Sequence, residues 1–109
     1  MNQSKLEQLE QLLHQADPQG LFKTRYSVPS NQYDGEALQL ALKLNQYDTV
    51  ASIQQKLWDV FYNNFCVSSR YEYNTLIKYK KSKEDAIKTI GTVDSYQNLA
   101  IKVKAILDE

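Results

Sequence analysis

The chain has 109 residues, 42% hydrophobic and 24% charged, which is the composition of one folded domain with enough apolar side chains to bury a core and excludes a disordered chain. Thirteen basic residues balance thirteen acidic ones, and a formal net charge of zero argues against a nucleic-acid binder that works through bulk electrostatics. The single cysteine, Cys66, excludes an intramolecular disulfide and a multi-cysteine zinc site, and a free thiol suits a reducing cytoplasm.

Ser4 and Glu7 have the spacing of a capping box, and Leu6, Leu9, Leu12, Leu13 and Ala16 follow at helical intervals until Asp17-Pro18 stops the run. Leu21 to Val28 carries Phe22, Tyr26 and Val28 at alternating positions but reads as an extended loop, because a lone strand has no partner. Pro29 favours an extended residue before it, Ser30 or Asn31 can cap, and Tyr33, Ala37, Leu40, Ala41 and Leu44 form the stripe of a second helix ending near Asn45-Gln46. Asp48 or Thr49 caps a third helix whose Val50, Ile53, Leu57, Val60, Phe61 and Phe65 face one way, and this is the expected centre of the core. After a break at Cys66 to Ser69, the pair Ser69 and Glu72 repeats the capping-box spacing ahead of Tyr73, Leu76 and Ile77, which predicts a fourth helix. Ser82 with Asp85 opens another, closed by Gly91, and Asp94 with Gln97 opens the last, with Tyr96, Leu99, Ala100, Val103, Ile106 and Leu107 apolar. The fold class expected is therefore all-α, a compact single-domain bundle of about five to six short helices over residues 1–109. The expected core includes Leu9, Leu13, Leu40, Leu44, Ile53, Leu57, Phe61, Leu76, Ile87, Leu99 and Val103.

The residue types of catalysis are sparse. His14 stands near the end of the first helix, where an imidazolium suits the exposed carbonyls, and its one potential partner at helical spacing is Glu10, a poor basis for a metal site or a general base. Cys66 would need a nearby base to act as a nucleophile, so packing beside Phe65 is the reading favoured. No catalytic residue, cofactor or metal ligand is assigned, and the chain reads as a non-enzyme. No stretch approaches the roughly 18 apolar residues of a membrane span, so a soluble, cytoplasmic protein is expected.

Two segments remain as candidate partner-binding surfaces. Tyr33, Asp34 and Glu36 sit at a helix start, where acids suit the unpaired amides, and with Asp17 they could form an acidic recognition spot. Arg70, Tyr71, Tyr73, Tyr79, Lys80 and Lys81 lie in the basic, tyrosine-rich segment 70–83, which also holds Lys78 and Lys83. Eight tyrosines are many for this length, and tyrosine buries a large area in interfaces while keeping a hydroxyl for water or a partner. The same segment could contact phosphate and stack bases, although the charge shift from minus two over residues 1–65 to plus two over 66–109 is small.

Asp17-Pro18-Gln19-Gly20-Leu21, followed by Pro29, Tyr33-Asp34, Glu36-Ala37 and a helix closing in Val60-Phe61 and Phe65, resembles a family of small all-helical bacterial domains for which no catalytic residues are established. The resemblance covers residues 6 to 65 and departs from the family pattern at Ala16, Gln19 and Gln32. Small members that resemble it look like immunity partners of toxins, and the resemblance permits that role here. The function expected is a small protein-interaction protein, most specifically an immunity or antitoxin-like inhibitor of a protein partner such as a toxin, acting as a monomer or weak homodimer. A nucleic-acid-associated regulator using segment 70–83 is the alternative.

Overall fold

A computed structural model of the chain describes residues 2–19 and 33–109, so the expected loop from Leu21 to Val28 and the caps Ser30 and Asn31 lie outside the described residues. The first helix, α1 (Gln3–Ala16), is capped by the Asn2 side chain, which accepts from the Lys5 amide at 2.9 Å, and Ser4 lies inside the first turn. It stops where predicted. Asp17 takes a left-handed φ of 43°, its amide donates to Leu13 O, and Pro18 cannot extend the ladder.

Helix α2 (Asp34–Lys43) packs on α1, and the Asn45–Asp48 turn leads into α3 (Val50–Phe65). Thr49 and Ser52 form a reciprocal capping box there, the Ser52 amide donating to Thr49 Oγ1 at 3.1 Å and the Thr49 amide to Ser52 Oγ at 2.9 Å. As expected, α3 is the central element, packing against α2, both later helices and the strand that follows it. Helix α4 (Lys83–Ile90) starts at the Ser82 cap and stops at Gly91, whose φ of 84° suits glycine and where an added Cβ would come within 2.6 Å of Ser95 Oγ. The last helix, α5 (Gln97–Leu107), begins later than Asp94 implies, because Val93–Tyr96 winds as a 3-10 turn capped by Thr92. Lys5 ties the two ends together, its Nζ donating to Leu107 O and Glu109 O at 3.1 Å each.

The fold is mostly helical but not all-α. The helix predicted from Ser69 is instead an antiparallel hairpin, β1 (Val67–Glu72) and β2 (Thr75–Lys80), paired from Val67 with Lys80 to Glu72 with Thr75. That lowers the helix count expected and removes Leu76 from the core, where it is 51% exposed. Leu9, Leu13, Leu40, Ile53, Leu57, Phe61, Leu99 and Val103 are buried as predicted, while Leu44 and Ile87 lie only half-buried. Phe61 is the aromatic hub, stacked on Tyr96 at 5.7 Å and meeting Tyr33 edge-on at 6.2 Å.

Candidate functional site

The hairpin positions most of the residues singled out in segment 70–83. Valine, threonine, isoleucine and tyrosine favour its pleat, and the two-residue loop Tyr73-Asn74 has φ of 51° and 65°, the signs of a type I′ turn. Asparagine accepts the left-handed conformation readily, but tyrosine does so at a cost of about 1–2 kcal/mol, which its own fully exposed ring does nothing inside the fold to offset. Among the elements, β2 touches only β1, and β1 reaches the body through α3. The base is fastened by the Lys81 amide on Cys66 O at 2.9 Å, the Tyr62 hydroxyl on Lys81 O at 2.8 Å and Lys81 Nζ on Thr89 Oγ1 at 2.9 Å.

The register divides the arm into two unlike faces, since directly opposed residues share a side. One face carries Ser68, Arg70, Glu72, Thr75, Ile77 and Tyr79. On it Arg70 Nη2 meets Glu72 Oε1 at 2.7 Å, Tyr79 donates its hydroxyl to the same oxygen at 2.6 Å, and the guanidinium lies 4.6 Å from the Tyr79 ring centre. Exposed ion pairs contribute little singly, but this shared geometry holds the two strands' side chains in register. The other face carries Val67, Ser69, Tyr71, Leu76, Lys78 and Lys80. Tyr71 is 75% exposed opposite Leu76, and Tyr73 at the tip is 101% exposed. The side chains of Tyr71, Tyr73, Lys78 and Lys80 make no hydrogen bond or ion pair among the described residues.

Sequence reasoning therefore grouped residues that the sheet separates. Arg70 and Tyr79 are engaged with each other on one side, Lys81 anchors the base, and Tyr71, Tyr73 and Lys80 belong with Lys78 of the same basic run and with Leu76, which the helical reading had placed in the core. Alternation over Val67 to Glu72 and Thr75 to Lys80, with Asn74 as a turn residue, was the one signal for these faces, and over so short a window it does not outweigh the helical spacing. Charge is also segregated. From Val67 to Lys81 the arm holds Arg70, Lys78, Lys80 and Lys81 against Glu72, a net of plus three, so the rest of this neutral chain carries minus three.

Two of the three residues of the expected acidic spot at the start of α2, Tyr33 and Glu36, are buried. Tyr33 is 1% exposed, and its hydroxyl donates to Asp17 Oδ1 at 2.7 Å while accepting from the Gln19 amide at 3.1 Å. Gln19 Nε2 in turn donates to Tyr96 OH at 2.9 Å, and that hydroxyl donates to Ile90 O at 2.6 Å. Burial pushes the Tyr96 phenol up to about 12, outweighing the Gln19 hydrogen bond, so it stays a donor. The Asp17-Pro18 turn is thus clamped to two core tyrosines, which explains its sharp sequence signal without any ligand. Glu36 is buried as well, and Asp34 is partly exposed beside Glu10 and His14 around a hollow of about 220 Å³.

That hollow has little chemistry. Burial and then the neighbouring Asp34 and Glu7 charges raise the Glu10 carboxyl, but among the described residues no group of three or more histidine, cysteine, aspartate or glutamate side chains could hold a metal ion. Cys66 is buried and burial pushes its thiol up, against the pull of the Lys81 charge, which keeps it a packing residue rather than a thiolate. A cleft of about 570 Å³ between α3 and α4 has Trp58 stacked on Tyr62 at 5.2 Å, with the indole N–H donating to Gly91 O at 2.8 Å. Both polar ends of that aromatic pair are consumed inside the fold. Among the described residues no helix is long and apolar enough to cross a membrane. No family model, curated protein or solved structure matches the chain.

Proposed function

We propose that this protein acts in the cytoplasm by binding a protein partner, with an immunity or antitoxin-like inhibitor as the most specific form. The observation that carries this reading is one face of a projecting hairpin bearing two exposed tyrosines and a leucine that the fold itself does not use. Exposed aromatic anchors of this kind dominate the binding energy of protein interfaces. The inhibitor form draws on the resemblance of residues 6 to 65, a stretch that ends before the hairpin. A second reading, nucleic-acid association, is favoured by Lys78 and Lys80 sharing a side with Tyr71, a pairing suited to backbone contact and base stacking.

Salt separates the two readings. A protein complex is expected to survive moderate salt and to lose affinity mainly on truncation of Tyr71 and Tyr73 to alanine. Nucleic acid held by the arm would weaken steeply with salt, with log K falling by about 0.7 to 0.9 per neutralised phosphate for each tenfold rise in salt, and the slope would shrink on removing Lys78 and Lys80. Tight, salt-sensitive binding of random duplex or single-stranded DNA, with no protein recovered by the full chain, would reverse the order of the two readings.

A further inference from the structure

We propose that the hairpin is a preformed insertion arm whose outer face, Tyr71, Leu76, Lys78 and Lys80 with Tyr73 at its tip, seats in an acidic concave surface of a protein partner. The inference rests on the protein-binding reading and adds to it a face, a mode of entry and a partner chemistry.

Four independent features point to the same face. The arm is stiffened from behind, because Arg70, Glu72 and Tyr79 satisfy one another on the opposite side, so less conformational freedom is lost on docking. Six-residue strands reach about 20 Å, and among the described elements β2 touches none but β1, so the outer half can enter a recess without the described helices intervening. Tyr73 occupies a left-handed turn position that asparagine or glycine would fill with less strain, and the ring it places at the tip is fully exposed, with no bond among the described residues to offset that strain. The arm's net of plus three, with Lys78 and Lys80 unpaired on the docking side, complements a recess lined by carboxylates. The apolar pair Tyr71 and Leu76 between those lysines and the tip requires that the recess also have an apolar floor.

Another apolar patch, Leu38 and Leu42 on α2, lies one helical turn apart and is also exposed, but it has neither a charge asymmetry nor backbone strain beside it to specify an occupant. It serves as the comparison. The photo-cross-linking residue p-benzoylphenylalanine is placed at Tyr73 or at Leu42 of the full chain in the cells it comes from, and any cross-linked protein is purified and titrated with the wild type and variants. The expected result is a discrete protein adduct from the Tyr73 position and not from Leu42. Affinity for that purified protein should fall about tenfold or more for Tyr71→Ala with Tyr73→Ala. Lys78→Glu with Lys80→Glu should weaken it comparably, with partial rescue when facing carboxylates on the partner are changed to lysine. Tyr73→Asn should leave thermal stability equal or higher while weakening binding, an outcome that separates loss of the anchor from loss of the fold.

An adduct from Leu42 alone, or a Tyr73 adduct whose affinity is indifferent to Lys78→Glu with Lys80→Glu, would overturn the insertion arm and leave the protein-binding reading standing. Absence of protein adducts at both positions, together with binding to random duplex DNA or to vesicles of phosphatidylglycerol and phosphatidylcholine, would overturn both.

Discussion

Phe61→Ala is expected to destabilise the protein by about 3–5 kcal/mol, a large share of the roughly 5–15 kcal/mol that holds a domain of this size together. The ring is fully buried on the C-terminal half of the central helix, with Tyr96 stacked on one face at 5.7 Å, Tyr33 edge-on at 6.2 Å and Phe65 at 5.9 Å. Truncation removes the transfer contribution of the ring and leaves a cavity whose walls are themselves aromatic. Those walls cannot close in, because the Tyr33 and Tyr96 hydroxyls are tied to Asp17 and Ile90 O. Urea titration followed by far-ultraviolet circular dichroism measures the effect as a lowered midpoint at similar slope. A loss under 1 kcal/mol would mean that the hub is not where the structure places it.

Asp48→Ala is expected to cost about 2–4 kcal/mol at neutral pH, less than for a fully buried pair because the Lys56 side chain left behind is 26% exposed. Asp48 closes the junction between α2 and α3, accepting from Lys56 Nζ, the Asn45 amide and Ser52 Oγ, all at 2.8 Å, while Lys56 also reaches Lys43 O. Burial by itself raises this carboxyl, but the Lys56, Asn45 and Ser52 hydrogen bonds and the Lys56 charge outweigh it and hold it below its ordinary 3.8. A carboxyl depressed in the folded state contributes stability that is fully present above the unfolded value and is lost as pH falls through the folded one. The wild type should therefore lose this increment below pH 3.8, and the variant should lack that part of the acid limb. Denaturant melts of both proteins at neutral pH and at stepped acid pH measure it, and parallel acid limbs would disprove the role assigned to Asp48.

The helices were legible where their determinants are local. Asp48 or Thr49 before an apolar stripe located α3, with Thr49 proving to be the cap, and Ser82, Asp85 and Gly91 bracketed α4, because a cap, a first turn and a stop act within a few residues of chain. The hairpin was not legible, since Ser69 and Glu72 have the spacing of a cap and Tyr73, Leu76 and Ile77 fit helical intervals as readily as strand ones over so short a window. Pairing between β1 and β2 decided it, and with the pairing came a left-handed tyrosine that residue preferences argue against.

The mostly helical class, the places where α1 and α4 stop and most of the core follow from the order of residues alone, because hydrophobic spacing along one helix already dictates which side must be buried. Which tyrosines are structural and which are presented depends instead on how the elements pack. Tyr33 and Tyr96 are drawn inward by hydrogen bonds to Asp17, Gln19 and Ile90 O, Tyr79 is held by Arg70 and Glu72, and Tyr71 and Tyr73 are left outward. A tyrosine is amphipathic enough to serve in either place, so its fate depends on partners brought close by the fold and not on its neighbours in the chain.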